Sequence, residues 1–409
     1  MDNDKNRAMR LATEAGRILL ENGAEISRVE FTMENIASAY GVEDRSFFVL
    51  SNGIIATGDT YSVAKFIPIK GMQLSKIVDV NQLSRDVTDG KCTVNELEIR
   101  LEDIRNSGSK PWWELMPCIT IGIICFTIIF GGSFIDAFSS LFTGLLLGGF
   151  ITFAGKHLSR FFKNIVCGFV GAFLCIVAFR LFRHSGMQLN IPNIIIGNII
   201  ALVPGVPFTN GMRDLANEDY IAGSTRLLDA LIVFFCIALG AVLAFLLDDL
   251  CMGDTIMILG QPVYDSTTSI WYVQMMAAFL GTLGFSALFG APRKYYVICG
   301  LVGMIGWATY IFSDSIWFAS MVVAIVSHLV AVMMRCPVTV PLICGIIPLV
   351  PGGGLFWSLY YLLGNHLRLA FDSGVIAVKA TIAIAGGIIL GAAIFDRLLK
   401  KKRKVKNFK

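Results

Sequence analysis

Apolar side chains are spaced in two different ways along this chain. In residues 5–40, apolar side chains recur every three or four residues, which predicts two amphipathic helices. Alternating stretches at 46–57 and 63–69 predict two strands, and residues 74–105 return to the helical interval. Residues 1–110 are therefore expected to form a small α/β domain.

Beyond Pro111 the pattern changes to long apolar runs that are separated by short polar loops. A helix needs about 20 apolar residues to cross a bilayer. The pattern therefore predicts a polytopic α-helical membrane protein with about ten transmembrane helices. The ten apolar segments are residues 117–135, 137–155, 164–182, 193–208, 226–247, 268–290, 295–312, 316–334, 338–355 and 378–398.

The tetrapeptide Leu-Val-Pro-Gly interrupts two of these segments, at Leu202–Gly205 and at Leu349–Gly352. Proline removes an amide hydrogen, and glycine loosens the backbone. In lipid, such a break is tolerated only against protein or a water-filled cavity. The breaks fall in the fourth and ninth segments, so we predict two five-helix repeats, over residues 111–250 and 251–398. Because five is odd, the repeats are expected to cross the membrane in opposite senses, as an inverted repeat.

Charged residues make up 16% of the chain, against roughly 25% in ordinary soluble proteins. Loop cations gather on the side of the N-terminus, and residues 399–409 form a basic tail. The positive-inside rule then predicts that both termini lie in the cytoplasm. Because the tail adjoins an apolar segment, we expect it to contact acidic lipid and not nucleic acid.

Each break predicts carbonyls without helical partners before it and amides without helical partners after it. Free amides favour a carboxylate and free carbonyls favour an ammonium group, so an amino acid suits both. The alternative is that the prolines only kink the helices for packing. The candidate substrate-binding residues are Asn198, Pro204, Gly205, Thr209, Asn210, Arg213, Asp214, Arg226, Pro348, Pro351, Gly352 and Gly353.

Ionisable side chains within apolar segments are candidate proton carriers, and we select Asp229 and His328. A histidine in such a place more often makes one hydrogen bond to a backbone carbonyl. Arg213, Asp214 and Arg226 either gate the pathway or hold substrate, or they form an interfacial ion pair. Asp248 is expected in a solvated external loop.

No cofactor or metal is expected for this chain. The ten cysteines contain no CxxC pair, and no GxxxxGK[ST] phosphate loop is present. The sequence therefore does not support ATP-driven transport.

A series of residues along the chain is similar to the motifs of a known family. These residues are Gly23-Ala24, Arg28-Val-Glu30 and Met33-Glu-Asn-Ile36, then Pro204-Gly205, Asn210, Arg213-Asp214, Gly223, Arg226, Pro348 and Pro351-Gly352. They resemble the threonine/serine exporter family. The resemblance implies an inner-membrane exporter of threonine and serine that is driven by the proton motive force, with ten spans and a cytosolic N-terminal domain. Some relatives in that family divide the halves between two chains and are linked to succinate export.

Three functions are carried forward as hypotheses. The first is a proton-coupled exporter of threonine and serine, and the second is an exporter of C4-dicarboxylates such as succinate. The third is a membrane-anchored hydrolase, which is weak because Ser27 and Ser46 have no histidine near them and the first histidine is His157. The expected partners are a small-molecule substrate and the lipid bilayer, and a homo-oligomer is left open.

Overall fold

The N-terminal part of the chain is a mixed α/β unit in the computed structural model. The structure describes residues 2–58, 60–68, 71–108, 110–153, 159–184, 187, 189–216, 219–253 and 265–406. The N-terminal elements are α1 (Asp2–Glu21), α2 (Ile26–Ala39), β1 (Arg45–Leu50), β2 (Gly53–Gly58), β3 (Tyr61–Phe66), α3 (Leu74–Thr88) and α4 (Val94–Asn106).

The sheet has three antiparallel strands in the order β1-β2-β3, so the prediction of two strands is wrong. The stretch 46–57 is divided by a turn at Ser51-Asn52, and Leu50 pairs with Gly53 across it. The Asn52-Gly53 dipeptide is a strong signal for a hairpin turn. The alternation of apolar positions continues through the turn, so the pattern alone does not show where the first strand ends.

The helical stretch predicted over residues 74–105 is divided between two helices. Gly90 takes a φ of +70°, which ends the first helix. Thr93 then begins the second with a capping box, in which Glu96 N lies 3.3 Å from Thr93 Oγ1 and Thr93 N lies 2.8 Å from Glu96 Oε2.

Twelve α-helices follow within the described residues, most of them strongly apolar. They are α5 (Trp112–Ile129), α6 (Phe134–Phe153), α7 (Arg160–His184), α8 (Ile191–Ile199), α9 (Gly205–Ala216), α10 (Tyr220–Met252), α11 (Trp271–Leu288), α12 (Tyr296–Ser313), α13 (Ile316–Met334), α14 (Thr339–Ile346), α15 (Gly352–Leu363) and α16 (Leu367–Lys406).

Eight helices of the described chain are long and apolar enough to cross a membrane. A ninth span results if α14 and α15, bent by 51° at their break, are taken as one. The chain is thus a mostly helical, polytopic membrane protein. The tenth predicted span corresponds to α8 and α9 together, and it stays a prediction because each is shorter than one bilayer crossing.

The helix contacts repeat in a regular order along the chain. Helix α5 packs on α6 and α8, and α11 packs on α12 and α14; likewise α7 packs on α10, and α13 on α16. Helix α9 lies against α16 while α15 lies against α10, and α5 packs on α11. Glycines allow this last approach, since a Cβ on Gly284 would lie 2.5 Å from the Cys118 carbonyl oxygen.

Candidate transport site

The first break separates α8 from α9 by a tight turn. The amides of Leu202 and Val203 both donate to the Ile199 carbonyl, at 2.8 and 3.1 Å. Pro204 has no amide hydrogen to donate, but its carbonyl accepts from Phe208 N at 3.1 Å, which begins the ladder of α9.

The second break has the same construction. Helix α14 passes through a 3-10 turn at Ile347–Leu349, and Gly352 N donates to the Val350 carbonyl at 2.8 Å. The Pro351 carbonyl accepts from Leu355 N at 3.2 Å, four residues further on, as Pro204 does in the first break. Each proline therefore begins a half-helix whose first-turn amides have no acceptor within that helix.

The two breaks lie directly against each other. A Cβ on Gly352 would lie 2.5 Å from Val203 Cγ1, and a Cβ on Gly205 would lie 2.4 Å from Val350 Cγ1. Non-bonded carbon atoms normally rest about 3.5–4.0 Å apart, so only glycine fits at either place. Each tetrapeptide thus inserts its valine against the glycine of the other.

The crossing encloses a small apolar cavity of about 30 Å³. Its lining includes Ala201, Phe285, Leu288 and Ile347, together with the two valines. Such a volume holds about one or two waters and no amino acid. The crossing is therefore closed to a molecule of amino-acid size in this conformation.

At the far end of α9, Asp214 forms a buried ion pair with Arg226 of α10. The Arg226 Nη1 atom lies 2.8 Å from Asp214 Oδ2, and both side chains are less than one-tenth exposed. Glycines again allow the approach, since a Cβ on Gly223 would lie 2.8 Å from the Gly211 carbonyl oxygen. The structure therefore shows the predicted ion pair between these residues. Their predicted contact with substrate stays a prediction.

Asn198 and Asn210 are buried side chains on the two halves of the first break. The Asn198 Nδ2 atom donates to Thr143 Oγ1 at 2.9 Å, while its Oδ1 atom has no protein partner among the described residues. The other two polar candidates on α9, Thr209 and Arg213, have side chains outside the described part of the chain.

The two candidate proton carriers occupy different environments. Asp229 is half-buried on α10, about one turn beyond Arg226. His328 Nδ1 lies 2.8 Å from the Ala324 carbonyl oxygen, and its ring packs against Phe395 at 5.1 Å. His328 thus has the backbone-bonded arrangement, and the proton role of both residues stays a prediction.

Asp248 does not lie in a solvated loop, as the sequence suggested, but on α10 with 7% of its surface exposed. It accepts two hydrogen bonds from Arg180 of α7, with Nε at 2.7 Å and Nη2 at 2.6 Å. Helix α10 continues beyond the predicted apolar segment until Gly253, whose φ is +67°. The pair gives the Arg180 cation, near the end of α7, a buried carboxylate partner.

Sequence reasoning also missed Asp136 as an organising residue. It is fully buried at the start of α6, accepts from Ser133 N at 2.8 Å, and accepts from Asn190 N, just before α8, at 2.8 Å. The Ser133-x-x-Asp136 spacing is a capping-box signal that could have identified it.

The N-terminal unit docks on the membrane helices through the start of α3. Leu74 N donates to the Phe289 carbonyl at 3.0 Å, and Ser75 N donates to the Gly290 carbonyl at 2.9 Å. These bonds satisfy amides that the first turn of α3 leaves without helical acceptors. Partial desolvation raises the pKa of Asp79 on the same helix, and nearby Lys294 partly opposes that rise.

Comparison with protein families identifies the group to which this chain belongs. The model described as "Putative threonine/serine exporter" matches residues 10–247, and "Threonine/Serine exporter, ThrE" matches residues 274–394. The chain belongs to the threonine/serine exporter family. Together the two matches cover most of both the N-terminal unit and the membrane helices.

Individual relatives of this exporter-family chain carry different names. A "Threonine/serine exporter" of Corynebacterium glutamicum is 23% identical over 97% of this chain and 84% of its own length. A "Probable succinate transporter subunit" of Klebsiella aerogenes is 22% identical over 59% of this chain and 95% of its own length. No solved structure matches the chain.

In this exporter-family chain, residues that carry the family resemblance meet in space. The second guanidinium nitrogen of Arg226 donates to the Ala24 carbonyl at 2.9 Å, which joins the α1–α2 turn to α9 and α10. Glu30 on α2 accepts from Val49 N at 3.3 Å. Burial raises the pKa of Glu30, and the Asp219 carboxylate before α10 raises it further. The family motifs therefore meet where the N-terminal unit contacts the membrane helices.

Proposed function

We propose that this chain exports threonine and serine across the inner membrane as a secondary transporter that uses the proton motive force. The observation that carries the proposal is the reciprocal packing of Val203 on Gly352 and of Val350 on Gly205. Broken helices at matching positions of two repeats are where transporters of this type bind substrate. When the breaks part, the first-turn amides of α9 and α15 face the opening and suit a carboxylate.

We further propose ten spans in a five-plus-five inverted repeat, with both termini and the N-terminal unit in the cytoplasm. The repeating order of helix contacts supports two related halves. Five spans in each half require the halves to run in opposite senses. In this arrangement, the Asp214–Arg226 pair and the start of α3 both lie at the cytosolic ends of the membrane helices.

Protons are proposed to enter through Asp229, with His328 as a second carrier. Asp229 follows Arg226 along α10, and α10 packs on α9, the second helix of the first break. His328 keeps its Nε2 atom for proton exchange because Nδ1 is engaged with the Ala324 carbonyl. Asp229→Asn is expected to abolish gradient-driven export and to spare exchange of labelled for unlabelled threonine.

The direct test is efflux of labelled threonine from preloaded proteoliposomes, with and without an imposed proton gradient. We expect gradient-dependent efflux in the wild type and none in Gly352→Leu, because a leucine has no room against Val203. Gly149→Leu is the matched control, since nothing lies within 4 Å of a Cβ there. Equal efflux from liposomes with and without the protein would refute the exporter function.

Export of a C4-dicarboxylate is the second candidate, and the relative named as a probable succinate transporter subunit favours it. Labelled succinate in the same vesicles distinguishes the two substrates. Succinate efflux without threonine efflux would assign the chain to dicarboxylate transport. We propose no enzymatic role, because the family is one of exporters.

A further inference from the structure

A second cavity, of about 320 Å³, lies between the N-terminal unit and the end of α11. Binding sites for small molecules start at about 300 Å³, so this cavity has the size for a small ligand, unlike the cavity at the crossing. Its walls come from the end of α1, the start of α3, the end of α4 and Leu288. It is therefore built where the two parts of the molecule meet.

The cavity presents opposite charges on opposite elements. Glu21 comes from α1, and Lys76 and Arg105 come from α3 and α4. Glu21 is 6% exposed and is held by Arg17 Nε at 3.0 Å. Lys76 Nζ donates to the Arg105 carbonyl at 2.8 Å, and Arg105 Nη1 lies 3.6 Å from Glu14 Oε1. These partners hold the charged groups in place around the cavity.

The lining also has an apolar part and an amide. Ile18, Met72 and Leu288 supply apolar surface, and Asn22 adds a buried amide whose Nδ2 donates to the Ile18 carbonyl at 2.7 Å. One carboxylate, two cations and a short apolar wall fit a zwitterion with a small side chain. A dianion would bring one of its carboxylates close to the carboxylate of Glu21, which is 6% exposed. Repulsion between like charges at such a buried position costs free energy.

Leu288 lines both this cavity and the cavity at the crossing of the breaks. It is half-buried at the last position of α11, immediately before the loop on which α3 docks. Leu288 therefore contacts both the charged cavity and the closed crossing.

We propose that the cavity bounded by Glu21, Lys76 and Arg105 binds a small zwitterionic amino acid on its way to the crossing, and that Leu288 separates the two chambers. The inference rests on the proposed export function and deepens it, because it favours an amino acid over a dicarboxylate. The Glu21 carboxylate receives the ammonium group, and Lys76 and Arg105 receive the carboxylate.

The first test is equilibrium binding of labelled threonine and labelled succinate to the purified full chain in detergent. Glu21→Gln is expected to weaken threonine binding about tenfold or more, because a charge-assisted contact is lost, and to narrow the preference for threonine over succinate. Arg105→Gln, at a side chain that is half exposed, is expected to weaken threonine binding as well. Glu98→Gln is the matched control, since Glu98 pairs with Arg7 and Arg10 away from this cavity.

The second test separates binding from passage. Leu288→Trp is expected to reduce threonine efflux from proteoliposomes by a much larger factor than it reduces threonine binding, because Leu288 contributes only apolar surface to the charged cavity. Leu280→Trp on the same helix, at a position 39% exposed, is expected to change neither. Unchanged efflux in Leu288→Trp, or equal loss of efflux and binding, overturns the role of Leu288.

The outcomes distinguish this inference from the export function. Wild-type efflux with unchanged threonine affinity in both Glu21→Gln and Arg105→Gln overturns the cavity assignment and leaves export standing. Threonine binding that depends on Glu21, with no efflux from wild type, supports the cavity and refutes export. Tighter wild-type binding of succinate than of threonine overturns the zwitterion assignment.

Discussion

A methyl group added at Gly352 tests whether the two breaks are packed as described. In Gly352→Ala the new Cβ would lie 2.5 Å from Val203 Cγ1 and 3.3 Å from Ile200 Cδ1. The first distance is about 1 Å shorter than a normal carbon contact, so α15 and the first break must shift. Gly205→Ala is the reciprocal change, with Val350 Cγ1 at 2.4 Å.

The expected loss of unfolding free energy in Gly352→Ala follows from the position of Val203. Overpacking of this kind costs about 1–3 kcal/mol of unfolding free energy. Val203→Ala alone removes two methyl groups and costs up to about 1.5 kcal/mol, at roughly 0.8 kcal/mol for each buried carbon. In the double variant, which combines Gly352→Ala with Val203→Ala, the nearest atom of residue 203 is its Cβ. It lies 3.6 Å from the new Cβ at position 352, which is an ordinary contact. The double variant keeps only the 3.3 Å approach to Ile200 Cδ1, so its stability should be close to that of Val203→Ala alone, with a coupling energy of about 1–3 kcal/mol.

The assay is a double-mutant cycle in detergent micelles, with unfolding free energies measured by titration with a denaturing surfactant. Gly149→Ala serves as the control for glycine replacement in a helix, because a Cβ there meets nothing within 4 Å. Efflux measured on the same four proteins should fall in Gly352→Ala and recover in the double variant. Additive effects, with a coupling below about 0.5 kcal/mol, would refute the reciprocal contact.

Three further changes test the surroundings of the crossing. Asp214→Ala should cost about 3–5 kcal/mol of unfolding free energy, because it leaves the Arg226 guanidinium buried without its carboxylate. Asp248→Ala should likewise destabilise the chain measurably in surfactant titration, because Arg180 loses a bidentate partner. Glu30 has a raised pKa in the fold, so its contribution to stability is full below the unfolded pKa and is lost as pH rises through the folded pKa. Glu30→Gln should remove that fall from the pH profile of thermal unfolding.

Each of these changes has a control or a contradicting result. For the first, simultaneous replacement of Asp214 and Arg226 by leucine should cost less than Asp214→Ala, and the reverse order would refute a desolvated pair. As the control for Asp248→Ala, removal of the exposed Arg183 side chain should have little effect on stability in the same surfactant titration. An identical pH profile in the wild type and Glu30→Gln would contradict the burial of that carboxyl group.

Local signals in the sequence were sufficient for the breaks and for most of the helices. Long apolar runs predicted α5 to α7 and α10 to α13, and the two Pro-Gly pairs located both interruptions. Gly23 and Gly41 follow α1 and α2 in left-handed conformations, which glycine adopts readily at a helix end. These features depend only on residues that are close together in the sequence, so they can be predicted without knowledge of the fold.

The contacts between distant segments had no such signal. Nothing in the pattern shows that Val203 faces Gly352, because their approach depends on how two broken helices cross. The hydrogen bond from Arg226 to Ala24 ends on a backbone carbonyl, which any residue supplies. Asp248 was misjudged for a different reason: a run of acidic residues near an apolar end suggests a loop, whereas α10 continues past it to Gly253.

The reciprocal contact also bears on whether the two breaks act separately or together. Val203 occupies the space that a side chain at position 352 would need, and Val350 does the same at position 205. A displacement of α15 that frees Gly352 from Val203 also carries Val350, two residues away, from its place on Gly205. Two separate gates with independent motions would require each break to pack on a part of the fold that stays still. The observed geometry instead favours one shared crossing whose two sides open together, so equivalent substitutions at Gly205 and Gly352 should impair transport to a similar degree.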